Sequence, residues 1–155
     1  PVDIKYDFGL NRDMHYISPA LKKINHLISE LEQIYHLYAL KYSLSDSEFM
    51  ILYTLSVEGG KCGLSDIVFL SGLPKQTVNS AIRKMEKEGI IFLSEKGKRR
   101  KDVNLTPEGI KRTEESVQIL IGLENEILSQ WGEEKVERYI SDTSDYNEKM
   151  KKGLK

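Results

Sequence analysis

The chain has 155 residues, 30% of them charged and 39% hydrophobic, a balance that suits one folded globular domain and excludes a disordered or fibrous chain. No apolar run approaches the roughly 18 residues of a membrane span, and no basic stretch followed by an apolar stretch opens the chain, so a cytoplasmic protein is expected. The net charge of -1 excludes a uniformly basic nucleic-acid binder, which leaves the distribution of charge to decide.

From Pro19 to Tyr42, Leu21, Ile24, Leu27, Ile28, Leu31, Ile34, Tyr35 and Tyr38 recur every three or four positions, which predicts a long helix with Ser18 and Pro19 at its start. Ser45 and Glu48 have the spacing of a capping box and precede Phe49, Ile51, Leu52 and Leu55, so a second helix runs to Gly59-Gly60. A short third helix is expected from Ser65 to Leu70, with Ile67 and Leu70 inward. The turn Ser71-Gly72-Leu73 separates it from a fourth, with Pro74 in its first turn and Gly89 just past its end. Two short helices joined through a glycine are the sequence form of a helix-turn-helix. IIFLSEK and DVNL alternate as strands, with GKRR between them, and predict a β-hairpin with a basic tip. Thr106 and Pro107 open a fifth helix expected to continue to about Trp131, and a last helix spans roughly Glu133 to Lys151. The fold class is therefore mainly α with a small β-hairpin wing. Residues 1–44 and 107–155 form a dimerisation layer of helices around a reading head at 45–106, because their apolar stripes exceed what so small a winged domain covers. A twofold homodimer follows from that excess.

Charge is segregated in the same way. Residues 1–44 hold five basic and five acidic groups, and 45–60 hold three acidic groups and no basic ones. Residues 61–106 carry ten basic against five acidic groups, a local +5, while 107–155 carry eight against eleven, a local -3. On the fourth helix, once Val78, Ala81, Ile82 and Met85 are committed to the core, Lys75, Gln76, Thr77, Asn79, Ser80 and Arg83 are left for a DNA major groove. Gln76 and Asn79 have the two-pronged amide that reads adenine, and Arg83 suits guanine or phosphate. The wing tip places five cations in the six residues Lys96 to Lys101, and Lys98, Arg99, Arg100 and Lys101 suit a narrow minor groove. A run of charge is also what a plain solvated loop looks like, and the position of this one directly after a helix-turn-helix is what favours DNA.

Residues 45–106 resemble the winged helix-turn-helix of the MarR family of transcription regulators. The run GLPKQTVNSAIRKMEKEGII is similar to that family's recognition segment, and VNLTPEG to its second wing strand and following helix start. The resemblance implies a homodimer on a pseudo-palindromic duplex site, usually repressing and often released by a small aromatic or anionic effector bound between the dimer helices and the reading head. It also implies a wing Asp-x-Arg element. The Arg falls on Arg99, while the Asp position is Gly97, a departure that Lys98, Arg100 or Asp102 would have to compensate.

Other chemistry finds less support. Cys62 is the one cysteine, so no internal disulfide is available, and it is read as a structural thiol ahead of an oxidation sensor. His15, His26 and His36 lack a metal-ligand spacing, so neither metal nor cofactor is expected. Tyr35, Tyr38, Tyr42 and Tyr53 fit core or dimer interface as well as an effector pocket. No nucleophile elbow, phosphate-binding glycine loop or paired-carboxylate motif suggests an enzyme. The competing readings are a winged-helix protein-interaction module without specific DNA binding, and a metal- or redox-sensing regulator.

Overall fold

The computed structural model describes residues 17–155. The chain divides between Ser43 and Leu44 into two compact units. The first contains the helix α1 (Pro19–Lys41). Its start is set by Ser18, whose hydroxyl accepts the Leu21 N–H at 3.0 Å, and by Pro19, which has no N–H to leave unbonded. Its apolar stripe stays accessible: Leu27, Ile28 and Leu31 are each about half exposed.

The second unit contains α2 (Asp46–Val57), β1 (Lys61–Gly63), α3 (Leu64–Ser71), α4 (Lys75–Lys87), β2 (Ile91–Lys96), β3 (Arg100–Leu105), α5 (Pro107–Glu114), α6 (Val117–Trp131) and α7 (Glu133–Lys152). The fold is mainly helical with one small antiparallel sheet, as the sequence pattern requires. At the head of α2 the predicted capping box is complete. The Ser45 hydroxyl accepts the Glu48 N–H at 3.2 Å, and the Glu48 carboxylate accepts the Ser45 N–H at 3.1 Å. Phe49, Ile51, Leu52 and Leu55 are fully buried, so α2 is the central helix of this unit. Around it pack α3, α4, α5, α6 and two strands of the sheet.

Between α3 and α4 the backbone turns at Gly72, φ 67°, a left-handed conformation that a side chain would resist. That turn lets α4 bury Val78, Ala81, Ile82 and Met85 against α2, α3 and β2, the four positions expected. Pro74 differs from its expected place. It is the N-cap, with ψ 141°, and its carbonyl accepts the Val78 N–H at 3.0 Å. Leu70 also differs: it is about half exposed, because an eight-residue helix buries a single apolar position, Ile67, and not two.

The sheet has three strands in the order β1-β3-β2 and not the two of a hairpin alone. Val103 is its buried centre, opposite Cys62 on β1 and Leu93 on β2. Arg100 and Lys101 belong to β3, so the turn itself is only Gly97, Lys98 and Arg99.

The single fifth helix expected from Thr106 to Trp131 is interrupted. Ser116 (φ -139°, ψ -95°) is non-helical, and it separates α5 from α6. Hydroxyls compete with the backbone there: Thr113 Oγ1 donates to the Ile110 carbonyl at 2.7 Å and Ser116 Oγ to the Arg112 carbonyl at 2.5 Å. The last helix lies where expected. Among the described residues no helix is long and apolar enough to cross a membrane.

Candidate nucleic-acid interface

The geometry begins with the wing's base. Thr106, which follows β3, caps α5 by accepting the Gly109 N–H at 3.0 Å. Its hydroxyl points at the carbonyls of Gly89 (2.6 Å) and Ile90 (3.0 Å), and its own N–H donates to the Ile90 carbonyl at 3.1 Å. One threonine thus ties the end of β3, the start of β2 and the head of α5 together. Gly109 completes the joint, since a Cβ there would lie 2.0 Å from the Ile90 carbonyl oxygen. Higher in the hairpin, Asn104 Nδ2 donates to Ser94 Oγ at 2.9 Å across the two strands.

Helix α4 is fixed from behind. Lys84 Nζ lies 2.7 Å from Glu48 Oε1, joining the outer half of α4 to the capped start of α2. Burial alone pushes the Glu48 carboxyl up. The Lys84 ammonium and the Ser45 N–H outweigh burial and leave it below its ordinary value. The same ion pair raises Lys84.

On the outer face of α4, Lys75, Gln76, Thr77, Ser80 and Arg83 are exposed and Asn79 is half-buried. Lys98, Arg99, Arg100 and Lys101 are all exposed on the wing. The two sets meet. A cleft of about 810 Å³ is walled by Lys75 and Asn79 from α4, by Arg99, Arg100 and Lys101 from the wing, and by Ser65, Asp66, Val68, Phe69 and Leu70 from α3. Gln76, Thr77 and Ser80 face a shallower depression on the other flank of α4, shared with Ser45, Ser47 and Lys84. Arg83 and Lys98 line neither.

Four residues of the cleft wall owe their place to the fold, and of these only Asp102 and Cys62 are singled out in the sequence. Lys61 on β1 pairs with Asp102 on β3 at 3.3 Å, an ion pair that exists only because β1 joins the sheet. Asp102 is buried by that pairing and stands at the foot of the wing. Phe69 is 84% exposed on α3, although it is an aromatic residue inside an apolar run. Cys62 is buried nearby. Burial, then the charges of Asp66, Glu58 and Asp102, push its thiol above the ordinary value. No group of three or more His, Cys, Asp or Glu among the described residues could hold a metal ion.

A helix-turn-helix followed by a strapped β-hairpin, with β1 as the third strand, is a winged helix. The MarR family profile matches residues 42–101, from the end of α1 to the first residues of β3. Residues 42–101 are a MarR family winged helix. Solved structures extend the likeness of fold to the flanking helices. NMB1585, a MarR family regulator from Neisseria meningitidis, is 22% identical, with 88% of this chain and 97% of that one covered and a TM-score of 0.77. MepR of Staphylococcus aureus in complex with DNA is 20% identical, with 87% and 99% covered and a TM-score of 0.64. Bordetella bronchiseptica BpsR, whose DNA binding is regulated by 6-hydroxynicotinic acid, is 18% identical, with 86% and 99% covered and a TM-score of 0.58. No curated protein matches. In this MarR winged helix the position before the wing arginine by two residues is Gly97, and the buried wing carboxylate is Asp102, held by Lys61.

Proposed function

We propose that this chain is a sequence-specific duplex-DNA-binding transcription regulator, a homodimeric repressor of the cytoplasm whose DNA binding responds to a small molecule. The observation that carries the reading is the cleft that gathers Lys75 and Asn79 with Arg99, Arg100 and Lys101 on one face of the second unit. A helix presenting amides and cations beside a basic β-tip suits a major groove and its neighbouring minor groove. Lys75, Gln76, Thr77, Asn79, Ser80 and Arg83 lie in the major groove in this proposal, Gln76 and Asn79 against base edges and Lys75 against a phosphate. Lys98, Arg99, Arg100 and Lys101 address the minor groove and its phosphates.

The remaining segments supply the dimer. Leu27, Ile28 and Leu31 on α1 are exposed, as are Leu123 and Ile127 on α6 and Tyr139 and Ile140 on α7. A second copy of the chain is the cover proposed for them, which sets residues 1–44 and 107–155 as the dimerisation parts and 45–106 as the reading head. A twofold dimer requires a pseudo-palindromic site. The fold shared with BpsR supports a small-molecule effector.

Selection of bound sequences from a random duplex pool tests the proposal. A recovered inverted repeat, bound with an affinity that falls steeply with salt, is the expected result. Recovery of no sequence, together with weak binding at low salt, overturns it in favour of a protein-interaction role.

A further inference from the structure

We propose that the cleft between α3 and the wing seats one sugar–phosphate strand of the duplex, and that Phe69 is the apolar wall on which its deoxyribose packs. This rests on the DNA-reading function proposed above and adds a contact from α3, outside the recognition helix and the wing. When a helix occupies the major groove and a hairpin tip the adjacent minor groove, one backbone strand runs between them. The space between α4 and the wing is this cleft.

The side chains around Phe69 decide which partner covers it. Its ring is 84% exposed, far beyond what the folded unit needs, and it shares the cleft with Lys75, Arg99, Arg100 and Lys101. None of these four cations is held in an ion pair among the described residues, whereas Lys61 is already paired with Asp102. The two exposed carboxylates of the cleft, Glu58 and Asp66, sit beside β1, where their charge acts on Cys62. A ligand that fills this cleft and covers Phe69 therefore has these four cations along the same walls. A polyanion with an apolar repeating unit satisfies both demands, and the phosphate and deoxyribose of a DNA strand are that combination. An acidic face of a protein supplies charge and apolar groups too, but without the fixed alternation of phosphate and sugar along a nucleic-acid strand.

A sugar contact is independent of base sequence and of counterion release, which gives it a distinct signature. Binding of the full chain to a pool-selected duplex, and to a scrambled duplex of equal length, is measured over a range of salt for the parent, Phe69→Ala, Phe69→Leu and Arg99→Ala. Phe69→Ala is expected to weaken both duplexes by the same factor, about three- to tenfold, without changing the salt slope. Phe69→Leu should recover most of the loss. Arg99→Ala should lower the slope by about 0.9. Equal binding by Phe69→Ala and the parent overturns the inference while the DNA-reading function stands, and so does a loss confined to one duplex. A parent that binds no duplex overturns both, a result distinguishable at once from the other two. Thermal unfolding of Phe69→Ala at the parent temperature shows that the effect is not one of folding.

Discussion

Lys84 Nζ and Glu48 Oε1 lie 2.7 Å apart, and through them α4 is bonded to the capping box at the head of α2. Glu48 is nearly fully buried while Lys84 is mostly exposed, so the pair has a protected anion and a solvated cation. Because the Glu48 carboxyl is depressed below its ordinary 4.5, the stability it contributes is complete above that value and lost as pH falls through the depressed one. Glu48→Gln keeps the cap acceptor and removes the charge. The variant is expected to melt below the parent at pH 7 and to show a shallower decline of Tm between pH 5 and pH 3, measured by circular dichroism. A decline as steep as the parent's would show that the acid sensitivity lies elsewhere.

Contacts to bases and contacts to phosphates separate by their salt response. Gln76→Ala and Asn79→Ala are expected to relax sequence preference, each at a cost of about 1–3 kcal/mol against the selected duplex wherever the amide makes two bonds to adenine. Lys75→Ala should weaken all duplexes alike and lower the log-log salt slope by about 0.9. Binding titrations at several salt concentrations read both quantities.

Gly109 faces the Ile90 carbonyl so closely that no side chain fits without moving the start of β2. Gly109→Ala should destabilise the protein by about 2–3 kcal/mol, the upper part of the roughly 1–3 kcal/mol range for forcing atoms into a packed site. Thr106→Ala should cost about 1–2 kcal/mol by removing the α5 cap and the hydroxyl's link to the β2 entry. Urea denaturation gives both values.

Cys62 combines burial with a thiol raised above its ordinary value, so little thiolate is present at neutral pH. Its reaction with an aromatic disulfide reagent should be at least about a hundredfold faster in denaturant than in the folded protein, and peroxide should leave duplex binding unchanged. Rapid modification of the native protein would restore the redox-sensor reading.

If a second copy covers the exposed apolar faces, one charge placed among them should split the dimer. Ile127→Asp is expected to shift the sedimentation coefficient from dimer to monomer at micromolar concentration and to weaken binding to a paired half-site more than to a single one. A monomeric parent would remove the premise.

The local signals in this sequence were strong where structure is local. Ser18-Pro19, the Ser45–Glu48 box and Thr106-Pro107 mark helix starts that the structure keeps, and the period of Val78, Ile82 and Met85 identifies the buried side of α4. What was hidden depends on distant partners. Lys61-Cys62-Gly63 is too short to alternate and becomes a strand only by pairing with β3. The break at Ser116 lies inside an unbroken apolar period, because side-chain hydroxyls and not hydrophobicity interrupt the helix. The basic helix face and tip were legible from charge alone. The cleft they share was not, since β1 and α3 must first be set beside the wing for Phe69 and Asp102 to join it.

The pairing of β1 ends at Gly63 opposite Asp102, whereas β2 and β3 continue to pair through Glu95–Lys101 and Lys96–Arg100. Beyond Asp102 the wing is therefore a two-stranded cantilever projecting from a three-stranded root, clamped where Lys61 grips Asp102. Arg99 stands at the far end of that lever, while Thr106 is tied to the Gly89 and Ile90 carbonyls at its root. In the proposed complex a tip held only at its root would meet minor grooves of differing width, leaving the sorting of sequences to α4, which Lys84 holds to α2.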